Sequence, residues 1–158
     1  MQHLIKVVLE NEAGALSRVV ELFSKRGYNI DSLSVSPQID SDLSVLNIAT
    51  SGANSVIEQI IKQLENIIPV ITAVDITTTD DYVSRELMLA TIVTKTPESL
   101  QSILNTIKDF NGHIIRQHDT TLVVQLTGDS KYFNTFINII SDDATIQYSN
   151  SGKIGISY

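Results

Sequence analysis

Cysteine is absent from this 158-residue chain, and basic residues are few. Without cysteine, disulfide bonds, thiolate nucleophiles and cysteine-based metal sites are all excluded. Lysine and arginine together number 11 against 18 aspartates and glutamates, which leaves a formal net charge of −7. Because nucleic acids and anionic membranes are bound through basic patches, this balance argues against both as partners.

Long apolar runs are missing as well. No uninterrupted apolar stretch approaches the roughly 18 residues that a membrane-spanning helix needs. Met1 leads directly into a predicted strand, without the basic region and apolar core of a signal peptide. The length of 158 residues is enough for one domain of ordinary size or two small ones, and apolar residues, at 42%, are frequent enough to form a core. We therefore expect a cytoplasmic protein.

Hydrophobic periodicity organises the first half of the chain. An apolar run over Leu4–Leu9 is typical of a buried strand, and an i, i+3, i+4, i+7 period predicts a helix from Ala15 to Gly27. Three further strands are predicted at Tyr28–Val35, Leu43–Thr50 and Val70–Ile76, and a second helix is predicted at Val56–Leu64. The order is βαββαβ, the ferredoxin-like arrangement.

The second half repeats this pattern. Strands are predicted at Leu87–Val93, His113–Arg116, Leu122–Leu126 and Thr145–Tyr148, with helices after the N-caps Thr96 and Asp129. The polar segment Thr77–Asp81 has no periodicity and is the predicted linker. The sequence thus predicts an α+β fold of two tandem ferredoxin-like βαββαβ units, with domains at residues 1–78 and 79–158.

The turn Asn11–Leu16 joins the first predicted strand to the first predicted helix. Unpaired N–H groups and the positive end of the helix dipole attract an anion to such a turn. Gly14 lets a ligand approach closely, and Asn11 is placed to hold a polar group. In the second half Pro97 removes one of the corresponding N–H groups. We therefore expect a ligand site in the first half only.

Other candidate chemistry is weakly supported. His113 and His118 lie five residues apart across a predicted hairpin, which we interpret as solvent-exposed because too few further donors converge for a metal site. Ser17 and Ser24 have no base at a recognisable spacing, so nucleophilic catalysis is unsupported.

Longer motifs give the chain a family resemblance. The segments Leu9–Val19 and Phe23–Leu33, continued by Arg85–Leu89 and Ser151–Gly152, resemble the small regulatory subunits of acetolactate synthase. The resemblance covers essentially the whole chain. The core of the first segment is similar to ACT domains, which bind amino acids and share the βαββαβ fold, so it implies an N-terminal ACT domain and a C-terminal ACT-like domain.

This resemblance implies a non-catalytic regulatory subunit of branched-chain amino acid biosynthesis. Such a subunit activates the catalytic large subunit and confers feedback inhibition by valine, which binds between the two chains of a homodimer. The implied valine contacts are Asn11, Gly14, Ala15 and Leu16 from one chain, with Asn29 and Ile30 from the other. The valine carboxylate is expected on the N–H groups near Gly14 and Ala15. Thiamine diphosphate, Mg²⁺ and FAD are expected on the catalytic subunit, with no cofactor in this chain.

Three alternatives remain open at this level. One is a stand-alone enzyme with ACT-like domains, although no cluster of catalytic groups favours it. Another is an activating or assembly subunit without an effector response, which the intact turn Asn11–Leu16 argues against. The third is a different amino-acid sensor of the ACT type.

Overall fold

A computed structural model describes residues 1–79 and 81–158 and confirms the predicted α+β class. The chain forms two compact units, Met1–Ser84 with Gly152–Tyr158 (unit 1) and Arg85–Ser151 (unit 2). The domain limits at residues 78 and 79 stay a prediction. Asp80, in the predicted linker, lies outside the described residues.

Unit 1 has the βαββαβ order that the periodicity predicts. Its elements are β1 (Gln2–Glu10), α1 (Ala15–Arg26), β2 (Ser32–Pro37), β3 (Leu43–Ser51), α2 (Asn54–Leu64) and β4 (Val70–Asp75). The sheet is antiparallel in the order β2-β3-β1-β4. Strand β1 is therefore central, and β2 and β4 form the edges.

Apolar side chains at every second position of β1 form the sheet face that the helices cover. Ile5, Val7 and Leu9 are all at most 2% exposed, and they join one core cluster with residues of both helices. The helix residues of this cluster are Ala15, Val19, Phe23, Ile57, Ile60 and Leu64. Burial of this face against two amphipathic helices is the main stabilising contribution in unit 1.

The C-terminal end of α1 corrects one predicted boundary. Gly27 has a left-handed backbone with φ 68°, and the Tyr28 amide donates to the Phe23 carbonyl at 2.9 Å. The Tyr28 ring also packs edge-on against the Phe23 ring at 6.3 Å. These contacts hold Tyr28 in the helix cap, so the strand predicted from Tyr28 begins only at Ser32.

A ninth strand was not predicted. β9 (Ile154–Ser157) pairs with β5 (Tyr82–Thr94), whose first three residues belong to unit 1. The Gly155 amide donates to the Asn47 side chain at 3.1 Å. A Cβ atom at Gly155 would lie within 2.6 Å of the Leu4 and Ile76 side chains, so glycine is required for this close approach.

Unit 2 repeats the arrangement with its own core. After β5 come α3 (Pro97–Asp109), β6 (His113–His118), β7 (Thr121–Gly128), α4 (Ser130–Ile140) and β8 (Ala144–Asn150). The strand order is β6-β7-β5-β8. Both predicted N-caps are confirmed: Thr96 and Ser99 form a reciprocal capping box, and Asp129 accepts from the Tyr132 amide at 2.7 Å.

Two features are absent from the described part of the chain. No helix there is long and apolar enough to cross a membrane. No group of three or more His, Cys, Asp or Glu side chains there could hold a metal ion.

A buried polar pair connects the first and last strands of the unit 1 sheet. His3 and Asp75 are 2% and 4% exposed, and Nδ1 of His3 lies 2.7 Å from Oδ2 of Asp75. The other carboxylate oxygen accepts from the Thr77 amide at 3.0 Å and from the Thr77 hydroxyl at 2.6 Å. Asp75 therefore pairs with the buried His3 ring and with two partly buried Thr77 groups, and leaving these polar groups unpaired would cost free energy.

Asp75→Ala is expected to lower the free energy of unfolding of unit 1 by about 2 kcal/mol, because it leaves those polar groups without an acceptor. Hydrogen exchange of the β1 and β4 amides measures this, with exposed Asp142→Ala in unit 2 as the control. Equal protection in the two variants would contradict a stabilising role for Asp75.

Candidate functional site

The turn between β1 and α1 is anchored through its backbone, which leaves its polar side chain free. The Asn11 amide donates to the Asp42 carbonyl at 2.7 Å, which fixes the end of β1 beside the start of β3. The Asn11 side chain is exposed and has no hydrogen-bond partner among the described residues. Ligand contact by Asn11 stays a prediction.

Gly14 opens the start of α1 to solvent. It is the N-cap with φ 88° and ψ −7°, a left-handed conformation that favours glycine. Apart from its two chain neighbours, no heavy atom of the described residues lies within 4 Å of the position that its Cβ would occupy. Among those residues, no side chain caps this helix end. A small ligand can therefore reach the first amides of α1.

Of the two residues whose amides were expected to hold the carboxylate, Ala15 has a paired amide, whereas the Gly14 amide has no acceptor among the described residues. The Ala15 amide donates to the Glu12 carbonyl at 3.2 Å, and the Ala15 side chain is 2% exposed within the core. The amides of Leu16 and Ser17 have no hydrogen-bond acceptor in the described residues. Ligand contact by Ala15 stays a prediction, while Leu16 and Ser17 provide the unpaired donors that an anion requires.

A charge pair flanks the same helix end. Nη1 of Arg18 lies 2.8 Å from Oε1 of Glu12, and both side chains are about half exposed (50% and 47%). An exposed pair of this kind contributes little to stability. At the site, the positive charge of Arg18 offsets the negative charge of Glu12, which would otherwise repel an anion at the helix start.

Asn29 and Ile30 lie beyond the other end of α1, in the connection to β2. The exposed Asn29 side chain donates from Nδ2 to Oδ1 of Asp31 at 2.7 Å, and the backbone carbonyl of Asn29 accepts from the Thr50 hydroxyl at 2.6 Å. Ile30 is partly buried against the unit 1 core. Both residues lead into β2, an edge strand of the sheet.

The length of α1 separates the two predicted halves of the site. The helix has 12 residues, which at the usual rise per residue span about 18 Å. One chain therefore brings Asn11, Gly14 and Leu16 together but holds Asn29 and Ile30 at the far end of the helix. A single amino acid cannot contact both groups within one chain.

Asp31 was not among the predicted site residues. Its carboxylate accepts from Asn29, from the Ser51 hydroxyl at 2.7 Å and from Nε2 of Gln2 at 3.3 Å. These donors, Ser51 first, and the nearby Lys153 charge lower the pKa of Asp31 below its ordinary value of 3.8, against the opposing effect of partial burial. Ser51 and Gln2 lie 20 and 29 residues away in sequence, so no local motif indicates this cluster.

Family comparisons cover both units. A family model described as "AHAS small subunit-like ACT domain" matches residues 5–72. A second one, described as "Small subunit of acetolactate synthase", matches residues 85–158.

Full-length relatives agree with these matches. The chain is 40% identical to the acetolactate synthase isozyme 3 small subunit of Escherichia coli, over 99% of this chain and 96% of that protein. It is 38% identical to the acetolactate synthase small subunit of Buchnera aphidicola subsp. Schizaphis graminum, over 99% of both. The crystal structure of the acetolactate synthase small subunit from Thermotoga maritima superposes with a TM-score of 0.89 at 27% identity, covering 100% of this chain and 98% of that one.

Ser51→Ala is expected to raise the pKa of Asp31 towards 3.8, because it removes the donor that lowers this pKa most. A carbon-13 NMR titration of the carboxyl groups measures the change. Since the pKa of folded Asp31 is lowered, its contribution to stability is present above about pH 3.8 and is lost as the pH falls through the folded value.

Glu21 provides an internal control for that titration. Its pKa is lowered from 4.5 by a hydrogen bond and the charge of Lys25, both remote from Ser51 in sequence, and should not change in the variant. A wild-type Asp31 that titrates at or above 3.8 would contradict the described hydrogen bonds.

Proposed function

The chain belongs to the acetolactate synthase small-subunit family, and from that membership we propose that it is a regulatory subunit that senses valine. It binds a catalytic large subunit, raises its activity and confers feedback inhibition when valine occupies the turn Asn11–Leu16. The chain performs no chemistry itself. Thiamine diphosphate, Mg²⁺ and FAD belong to the catalytic subunit in this proposal.

The observation that carries the proposal is the uncapped start of α1. Its Leu16 and Ser17 amides are unpaired among the described residues, and Gly14 leaves the space in front of them open. The valine carboxylate accepts from these amides and is favoured by the helix dipole. By contrast, α3 in unit 2 begins with a capping box that pairs the Ser99 amide, and Pro97 has no amide, so it offers a carboxylate fewer free donors.

Two copies of the chain complete the site. The free Asn11 side chain holds the polar groups of valine on one side, and Asn29 of a second copy holds them on the other. Leu16, which is 37% exposed, and Ile30 of the second copy bound the apolar side chain. Because the edge strand β2 begins three residues after Asn29, pairing along this edge is the simplest way to bring a second copy into place.

Inhibition follows from a shift between two arrangements of the dimer. Valine that contacts both copies favours the arrangement in which the two half-sites close on it. If the catalytic subunit has higher activity with the other arrangement, valine lowers activity without reaching the catalytic centre, and the coupling is reciprocal.

Gly14→Asp is expected to weaken valine binding more than tenfold, which corresponds to about 1.4 kcal/mol or more. An aspartate at the N-cap accepts from the Leu16 or Ser17 amide and so occupies the place of the valine carboxylate, while its charge repels the ligand. Calorimetric titration with valine measures affinity, and acetolactate formation by the reconstituted complex measures activation and inhibition. Activation should persist.

Two control variants separate the causes of that loss. Gly14→Asn keeps the size and the turn preference without the charge, and should weaken binding less. Asn111→Asp adds the same charge at an exposed left-handed position, φ 47°, in unit 2. It should retain feedback inhibition. Full valine sensitivity of Gly14→Asp would show that the site is elsewhere, and activation by wild type without valine binding would identify an activating subunit that has no effector response.

A further inference from the structure

The Asp31 carboxylate joins three parts of unit 1 that are distant in sequence. It holds the side chain of Asn29 before β2, of Ser51 at the end of β3 and of Gln2 at the start of β1. Its own amide donates to the Ala49 carbonyl at 2.8 Å, which fixes the backbone beside β3. Asp31 therefore has a defined position although it lies at the surface.

The same cluster continues into the C-terminal segment of unit 1, residues 152–158. Oε1 of Gln2 accepts from Nζ of Lys153, and the Lys153 amide donates to the Ser32 hydroxyl at 3.2 Å. Gly152, with φ 77°, lies against the side chain of Ser32, the residue that follows Asp31, and there the segment turns into β9. One chain of hydrogen bonds thus runs from Asn29 through Asp31 and Gln2 to Lys153.

We propose that Asp31 is a positioning residue that links occupancy of the effector site to the C-terminal segment. This inference rests on the proposed function, in which the Asn29 side chain contacts valine. Without ligand, the amide of Asn29 donates to Asp31. When the amide turns to valine, Asp31 loses that donor and its contacts with Gln2 and Lys153 rearrange.

The proposed coupling acts in both directions, so it can also be measured by substituting Lys153 and following valine affinity. If valine binding changes the contacts of Lys153, then a change at Lys153 must change valine affinity by the same coupling free energy. Lys153→Met removes the charge and the hydrogen bond to Gln2 while keeping most of the aliphatic chain. If Lys153 affected valine affinity by a route other than Asp31, its substitution would change the affinity equally with and without the Asp31 carboxylate.

The test is a double-mutant cycle on valine affinity, measured by calorimetry on the full chain. Lys153→Met is expected to change the valine Kd at least threefold in wild type and to have no effect in the Asp31→Ala background. Asp31→Asn, which keeps an acceptor but not the charge, should give an intermediate result. Lys95→Met is the control, because Lys95 bonds to the Asp142 carbonyl in unit 2 and should leave the Kd unchanged.

Hydrogen exchange of residues 152–158 separates failure of this inference from failure of the proposed function. Without any ligand, Asp31→Ala should speed exchange in this segment, and wild type should show a valine-dependent change that the variant lacks. Valine binding with equal effects of Lys153→Met in both backgrounds would overturn the linkage alone. Absence of valine binding in wild type would overturn the proposed function, and unchanged exchange in ligand-free Asp31→Ala would then overturn the positioning role of Asp31.

Discussion

The length of α1 is the constraint on which the proposed site depends. Its 12 residues place the open helix start and the Asn29 connection about 18 Å apart, so one chain presents two half-sites and completes neither. The two left-handed glycines at its ends define these half-sites, because Gly14 exposes the first amides and Gly27 turns the chain towards Asn29. In this account valine sensing therefore requires a dimer, because each site takes one half from each chain.

Comparison of the two units shows how one fold supports different roles. Both begin with a strand, a turn and a helix, but α1 begins at an uncapped glycine and α3 begins at the Thr96–Ser99 capping box. The capping box pairs the Ser99 amide and Pro97 has no amide, which stabilises α3 and leaves fewer free donors for a carboxylate. Unit 1 forgoes that stabilisation at α1 and keeps unpaired donors at the surface, as a ligand site requires.

Sequence patterns predicted those helices, caps and turns that depend on residues close together in the chain. The helical periods, the caps at Thr96 and Asp129 and the turn at Gly14 all follow from residues a few positions apart. Strand β9 and the Asp31 cluster could not be predicted in this way, because each depends on partners far along the chain. Gly155 meets Asn47, and Asp31 meets Ser51, only after unit 1 has folded.

The most direct test of the shared site uses mixed dimers of Asn11→Ala and Asn29→Ala chains. Each variant alone should bind valine weakly, since every site in its dimer lacks one asparagine. Mixed dimers with one chain of each kind can be purified through two different tags. Each mixed dimer has one site with both asparagines and one site with neither. The account predicts one valine bound per mixed dimer with near wild-type affinity in calorimetry. Mixed dimers that bind no better than either variant would contradict it.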